Sequence, residues 1–161
     1  ASATVALIDL RGLIADANPP GLLGEGPNPV DEVVRRLARA ADDASVKAVV
    51  LRISSPGITV TGSDILYAEV RRFRATTGKP VVVSMGEVAA SGGYYVALAG
   101  DWVLAQPTTL TGSIGVIIPT INASEGLGRI GVYSRAVKSG VNKDLANPLE
   151  PAREGLEPAP L

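Results

Sequence analysis

The chain has 161 residues, enough for one domain with a substantial core, and 46% of them are hydrophobic against 19% charged. Lys and Arg total 15 and Asp and Glu 16, a net charge of -1 that argues against nucleic acid as a partner. The chain contains neither His nor Cys, which excludes a Ser-His-Asp triad, a thiol nucleophile, a disulfide and a thiolate metal site. Acid–base chemistry must then run on Asp, Glu, Lys or Tyr.

The longest apolar stretches, Tyr94–Ala99 and Ile114–Ile118, fall far short of the roughly 18 residues that a membrane span needs. The first ten residues lack a basic region followed by an apolar run, the pattern of a signal peptide. The chain itself is therefore expected to be soluble.

Val5–Leu10 reads as a buried strand, and the Pro- and Gly-rich stretch over 15–29 as a loop. Asn28 and Pro29 form a cap and first turn for a helix whose apolar face is Val30, Val33, Val34, Leu37 and Ala41. Lys47–Ile53 is a β-branched strand ending at a Ser-Ser-Pro-Gly turn, and Ser63–Thr76 a second helix. Val81–Met85 predicts another buried strand, Ser91–Gly100 a helix, and Trp102–Ala105 and Ser113–Ile118 two more strands. A short helix near Ser124–Ile130 and a strand over Val132–Val137 follow. This alternation, with near-continuous apolar strands, predicts an α/β domain with a largely parallel sheet and flanking helices. The domain is expected over residues 1–146, with 147–161 a proline-rich C-terminal tail.

Three junctions could carry chemistry, since ligands of such sheets gather at the C-terminal ends of strands. The Ser54-Ser55-Pro56-Gly57 turn either turns backbone N–H groups toward an anion or is a plain tight turn. Ser91, set among Ala89, Ala90, Gly92 and Gly93, is either a nucleophile at a sharp strand-to-helix turn or a helix cap. The run Lys138–Asp144 offers a lysine base if desolvation depresses its pKa, or else solvated surface lysines. Only four lysines are present, and without His a serine nucleophile needs one of them or a carboxylate.

Four segments resemble the signal peptide peptidase A family, also called protease IV, which are serine–lysine endopeptidases of the ClpP/crotonase fold. They are RISSPG over Arg52–Gly57, KPVVVSMGEVAASGGYYVA over Lys79–Ala97, LTGSIGV over Leu110–Val116 and KSGVNKD over Lys138–Asp144. Their order and spacing match the family from about Val5 to Asp144. The resemblance implies a ClpP/crotonase-like fold, Ser91 as nucleophile and Lys143 as general base. It implies an oxyanion hole from backbone N–H groups of Gly92 and of the Gly57-Ile58 turn. Ser113 is implied as a hydroxyl that positions the lysine amine, whereas Lys138 matches no catalytic position. The family's usual Ser-Pro-Gly-Gly-Gly is broken here by Ile58 and Thr59, so Ile58 must accept that backbone shape and its side chain is expected to narrow the substrate groove.

The implied function is hydrolysis of unstructured apolar peptides, such as signal-peptide remnants, by a homo-oligomer without metal or organic cofactor. The full-length protein is expected to be membrane-associated, on the extracytoplasmic side, through a segment absent from this chain. The alternative is a catalytically silent ClpP/crotonase-fold module for peptide binding or assembly. Retention of both Ser91 and Lys143 speaks against it, because a scaffold needs neither.

Overall fold

A computed structural model describes residues 2–18, 20–21, 24–115, 123–134 and 149. The chain falls into two compact units, residues 1–116 and 117–161.

The first unit is built on a sheet. Strand β1 (Thr4–Ile14) leads into a short hairpin, β2 (Pro20–Gly21) with β3 (Gly24–Glu25). Helix α1 (Pro29–Asp42) starts where the sequence predicts, with Asn28 Oδ1 accepting from Val30 N at 2.9 Å and Pro29 in the first turn. It buries Val30, Val33, Leu37 and Ala40. Its arginines are a solvated face: Arg35 and Arg36 both pair with exposed Glu32, an arrangement worth little to stability. Strand β4 (Val46–Ile58) and helix α2 (Val60–Thr77) follow, the helix ended by Gly78 in the left-handed conformation. Strand β5 (Val81–Ala90) and the short helix α3 (Gly92–Ala97) come next, then β6 (Trp102–Leu104) and β7 (Leu110–Gly112).

All strand pairs of the main sheet are parallel, in the order β1-β4-β5, and β5 carries β6 beside its first half and β7 beside its last residues. Register aligns Ile8 with Leu51 and Val83, and Leu10 with Ile53 and Met85. These side chains form the buried face, against Leu37, Leu66, Val70, Phe73 and Val96 from the helices. Because side chains alternate between faces, the other face carries Leu7, Val50, Val82 and Trp102 in one row, and its ends, Leu7 and Trp102, are exposed. The second unit contributes one described helix, α4 (Ser124–Arg129).

The structure thus bears out the α/β class with a largely parallel sheet, and several boundaries move. Strand β1 continues to Ile14 because Leu13 and Ile14 pair with Gly57 and Ile58. The same pairing carries β4 through the Ser-Ser-Pro-Gly segment, so the expected tight turn is an irregular strand end, with register shifts before Leu13 and Ser55. Of the strand expected at Ser113–Ile118, residues 113–115 are not strand, and a strand not expected lies just before them at Leu110–Gly112, where it completes the edge of β5 at Val88–Ala90. Residues 132–134 are not strand; 116–118, 135–137 and the tail over 150–161 lie outside the described residues.

The sheet's N-terminal edge is held by polar side chains. Asp101 accepts from Val81 N at 2.8 Å and pairs with Arg74, and these interactions hold its carboxyl below the usual range. On the exposed face Arg52, at 2.6 Å, does the same to Asp9. A carboxylate depressed in the folded state contributes stability present above its unfolded pKa, lost as pH falls through its folded pKa. Acid should therefore start to erode this stability as pH enters the ordinary aspartate range, and the loss should run on to the lower folded-state values. Asp101→Ala, which strands Val81 N and leaves Arg74 with only the Ala99 carbonyl, is expected to cost about 2 kcal/mol at neutral pH. A denaturant titration with an unchanged midpoint would refute that.

Candidate active site

Two buried alanines, Ala89 and Ala90, end β5, and the chain reverses at Ser91 into α3. Ser91 has φ 49° and ψ -120°, a conformation that costs a non-glycine residue about 1–3 kcal/mol. Its backbone is fully engaged: Ser91 N donates to Gly112 O at 2.7 Å, and Ser91 O accepts from Tyr95 N at 2.9 Å. Its side chain is not. Although Ser91 sits at the N-cap of α3, it makes no capping hydrogen bond. The capping alternative for this serine is thereby removed. What is left is a hydroxyl presented on a strained strand-to-helix turn, the geometry of a nucleophile elbow.

The second junction comes up against the first. Gly57, at φ 89°, lies so close to α3 that a Cβ on it would be 2.5 Å from Gly92 N. A Cβ on Gly92 would in turn be 2.1 Å from Ser63 Oγ and 3.3 Å from Gly57 Cα. Glycine is required on both sides of this contact. Gly92 N is the first amide of α3, which has no carbonyl partner within its own helix. Buried Ser55 shapes the loop from beneath, its Oγ accepting from Gly57 N at 3.0 Å. Thr59 accepts from Gly62 N at 3.1 Å to cap α2, and Ser63 Oγ donates to Thr59 O at 2.8 Å. The backbone segments 55–58 and 91–93 are thus locked together by small side chains and glycines. The Gly57 turn is thereby held against the first residue of α3, next to Ser91 in the chain.

Ser113 lies just past the carbonyl of Gly112 that receives the Ser91 amide, and it is exposed with φ 54°. Of the residues expected at the site, Gly57, Ile58, Ser91, Gly92 and Ser113 are therefore gathered at the C-terminal ends of β4, β5 and β7. Lys143 lies outside the described residues, as does Lys138.

The other two lysines are spoken for. Lys79 Nζ donates to the carbonyls of Ala40, Ala41 and Asp43 at 2.7–3.0 Å, closing the C-terminus of α1. Lys47 Nζ donates to Ala44 O at 2.8 Å. Both stand at the N-terminal ends of strands, and the ten residues of β5 separate that edge from Ser91 by about 30 Å. Neither can take a proton from Ser91. A cavity of about 320 Å³ at that same edge, lined in part by Arg71, Arg74 and Lys79, is equally remote, and its cations bond to Tyr67, Asp101 and backbone carbonyls.

The sequence reading missed the supports around the turn. Tyr95, one helical turn after Ser91, donates to Asp64 Oδ1 at 2.9 Å, and its ring stacks on Tyr67 at 4.7 Å. The Asp64 carboxylate raises the Tyr95 pKa by accepting its proton in a hydrogen bond. This contact ties α3 to α2; its only sequence signal is the spacing of Tyr95 from Ser91. Among the described residues, no group of three or more Asp and Glu is placed to hold a metal ion.

Comparison with known proteins fits this geometry. The model of peptidase family S49 matches residues 74–155, about half of the chain, a span that includes Ser91, Ser113 and Lys143. The chain belongs to peptidase family S49. It is 40% identical over 144 residues to Protease 4 of Salmonella typhi, covering 89% of this chain and 22% of that protein. The putative signal peptide peptidase SppA of Enterococcus faecium is 34% identical over 144 residues, covering 88% of this chain and 41% of the relative. The chain thus spans well under half the length of these S49 relatives. A solved structure of the 1510-N membrane-bound stomatin-specific protease superposes with a TM-score of 0.59 at 19% identity. That match covers 74% of this chain and 52% of the other, and shows a shared fold alone. The Gly57-Ile58 turn lies outside the family match, so its place beside Ser91 comes from the structure.

Proposed function

We propose that this chain is the core of a serine endopeptidase in which Ser91 is the nucleophile and Lys143 the general base. The observation that carries the reading is Ser91 itself, held in a strained turn with its backbone bonded and its hydroxyl unused for capping. Membership of peptidase family S49 supports it. Because Lys47 and Lys79 are consumed at the far edge of the sheet, the lysines left are Lys138 and Lys143, and the family resemblance matches Lys143 to the base.

In this mechanism the neutral Lys143 amine takes the proton of Ser91 as Oγ attacks the peptide carbonyl. The oxyanion is held by the amide of Gly92 and by an amide of the Gly57-Ile58 turn. Since Gly57 N already donates to Ser55 Oγ, Ile58 N is the donor we assign there. Protonated Lys143 then gives its proton to the leaving amine, and water hydrolyses the acyl-enzyme by the mirrored path. Ser113 is assigned to orient the lysine amine. No metal or organic cofactor enters these steps.

The substrates we propose are unstructured apolar peptides, such as cleaved signal peptides, by analogy with the relative named signal peptide peptidase SppA. We further propose, from the family resemblance, a membrane-associated homo-oligomer. No helix among the described residues is long and apolar enough to cross a membrane. We likewise propose that residues 1–146 work as one peptidase domain, with 147–161 as a tail.

Neutral lysine is the active form, so cleavage should climb with pH as the amine loses its proton. Digestion of an apolar signal-peptide mixture from pH 6 to 10, followed by mass spectrometry, tests this. Lys143→Ala is expected to flatten the profile and lower cleavage at least a hundredfold. A profile that keeps its alkaline rise in Lys143→Ala would assign the base to another group.

A further inference from the structure

Ile58 is at once strained and exposed. Its φ is 151°, a backbone region that a β-branched residue rarely adopts, yet its side chain is 57% exposed and contributes little to the core. Paired residues of a ladder face the same side of the sheet, and its register partner Ile14 is fully buried. The positive φ at Gly57 and Ile58 swings the Ile58 side chain out of that row. Thr59 turns the other way, its hydroxyl donating to Ile14 O and accepting from Gly62 N. Val60 is exposed again, at 65%, as is Leu13, the register partner of Gly57. Three branched apolar side chains therefore stand in solvent around Gly57, which packs against Gly92. A glycine at 58 would carry no strain and a polar residue would be better solvated, so folding does not account for isoleucine there.

We propose that Ile58, with Leu13 and Val60 beside it, is a specificity-determining lip that receives a large apolar side chain of the peptide substrate next to the scissile bond. This rests on the peptidase reading and adds the part of the site that selects apolar sequences. The amide of Ile58 and its side chain then serve different ends: the amide faces the oxyanion, and the side chain grips the residue flanking it. Burying an apolar group against such a lip discriminates by about 10- to 200-fold per group.

The test compares two matched peptides, one with Leu and one with Ser at the residue flanking the cleavage site. Cleavage is measured with the unsubstituted protein and Ile58→Gly, which keeps the amide and removes the side chain. Anisotropy binding of the same labelled peptides is measured in Ser91→Ala with and without Ile58→Gly. The inference expects the Leu/Ser ratio of kcat/KM to fall roughly tenfold in Ile58→Gly, with a Tm raised by a few degrees as the strain is relieved. The Leu/Ser binding ratio should fall in parallel. Ile58→Thr, with the same backbone demand, should lose selectivity without the gain in Tm. An unchanged Leu/Ser ratio in an Ile58→Gly protein that still cleaves would overturn the lip and leave the peptidase reading intact. Ile58-dependent binding without any cleavage in the unsubstituted protein would overturn the peptidase reading and, with it, the lip's place beside a scissile bond, leaving only an apolar peptide-binding surface. Neither binding nor cleavage would overturn both.

Discussion

Ser91→Ala should retain the fold and lose about five to six orders of magnitude in kcat, the usual consequence of deleting a covalent nucleophile. Stability is a second readout of the same residue. Alanine at φ 49° keeps the backbone strain, so Ser91→Ala should melt close to the parent. Ser91→Gly relieves it and should be equally inactive but stabler by about 1 kcal/mol or more. Paired rate assays and thermal scans decide the matter. A capping or packing serine would behave oppositely, with activity surviving and Tm falling in both variants.

Gly57→Ala is expected to have the next largest effect, for a different reason. The new Cβ would stand 2.5 Å from Gly92 N and 3.3 Å from Ala90 O, both backbone atoms that no rotamer change can clear. At φ 89° the alanine would also be strained whatever space it found. Either the loop over 55–58 or the first turn of α3 must retreat, and the amides flanking Ser91 then no longer converge. Loss of one oxyanion donor lowers kcat by about 10²–10³, and the strain should cost roughly 3 kcal/mol of stability. Single-turnover rates alongside denaturant curves would check both. A variant that kept full kcat while losing stability would show that the close approach serves packing alone.

Much of this was readable in the sequence because it is local. Asn28-Pro29 announces α1, and the β-branched run from Val46 announces β4, through chain chemistry that needs no tertiary partner. Ser91 with its flanking alanines and glycines was legible as a strand-to-helix turn for the same reason. What could not be read was set by contacts distant in the chain. Leu13 and Ile14 prolong β1 because Gly57 and Ile58 lie beside them, more than forty residues on. Likewise β7 sits at Leu110–Gly112, before the predicted Ser113, because the last residues of β5 needed an edge. The capping reading of Ser91 falls on a hydrogen bond that the side chain does not make, which no spacing reveals. Lys79 illustrates the converse: its sequence context is an ordinary helix exit, and only the fold shows it closing the end of α1.

The electrostatic shifts that the fold imposes have a consequence for how its chemistry can be watched. Asp9, Glu32, Asp43 and Asp101 are all pushed toward lower pH, and Tyr95 toward higher. The sequence supplies no histidine between them. Each shift points away from the neutral and mildly alkaline range, so these carboxylates and this phenol hold constant charge there while, in the proposed mechanism, the Lys143 amine loses its proton. These five groups are a quiet background for the proposed base. A titration of activity across that range then approaches a single-proton curve, whose midpoint reports the microenvironment of one nitrogen atom.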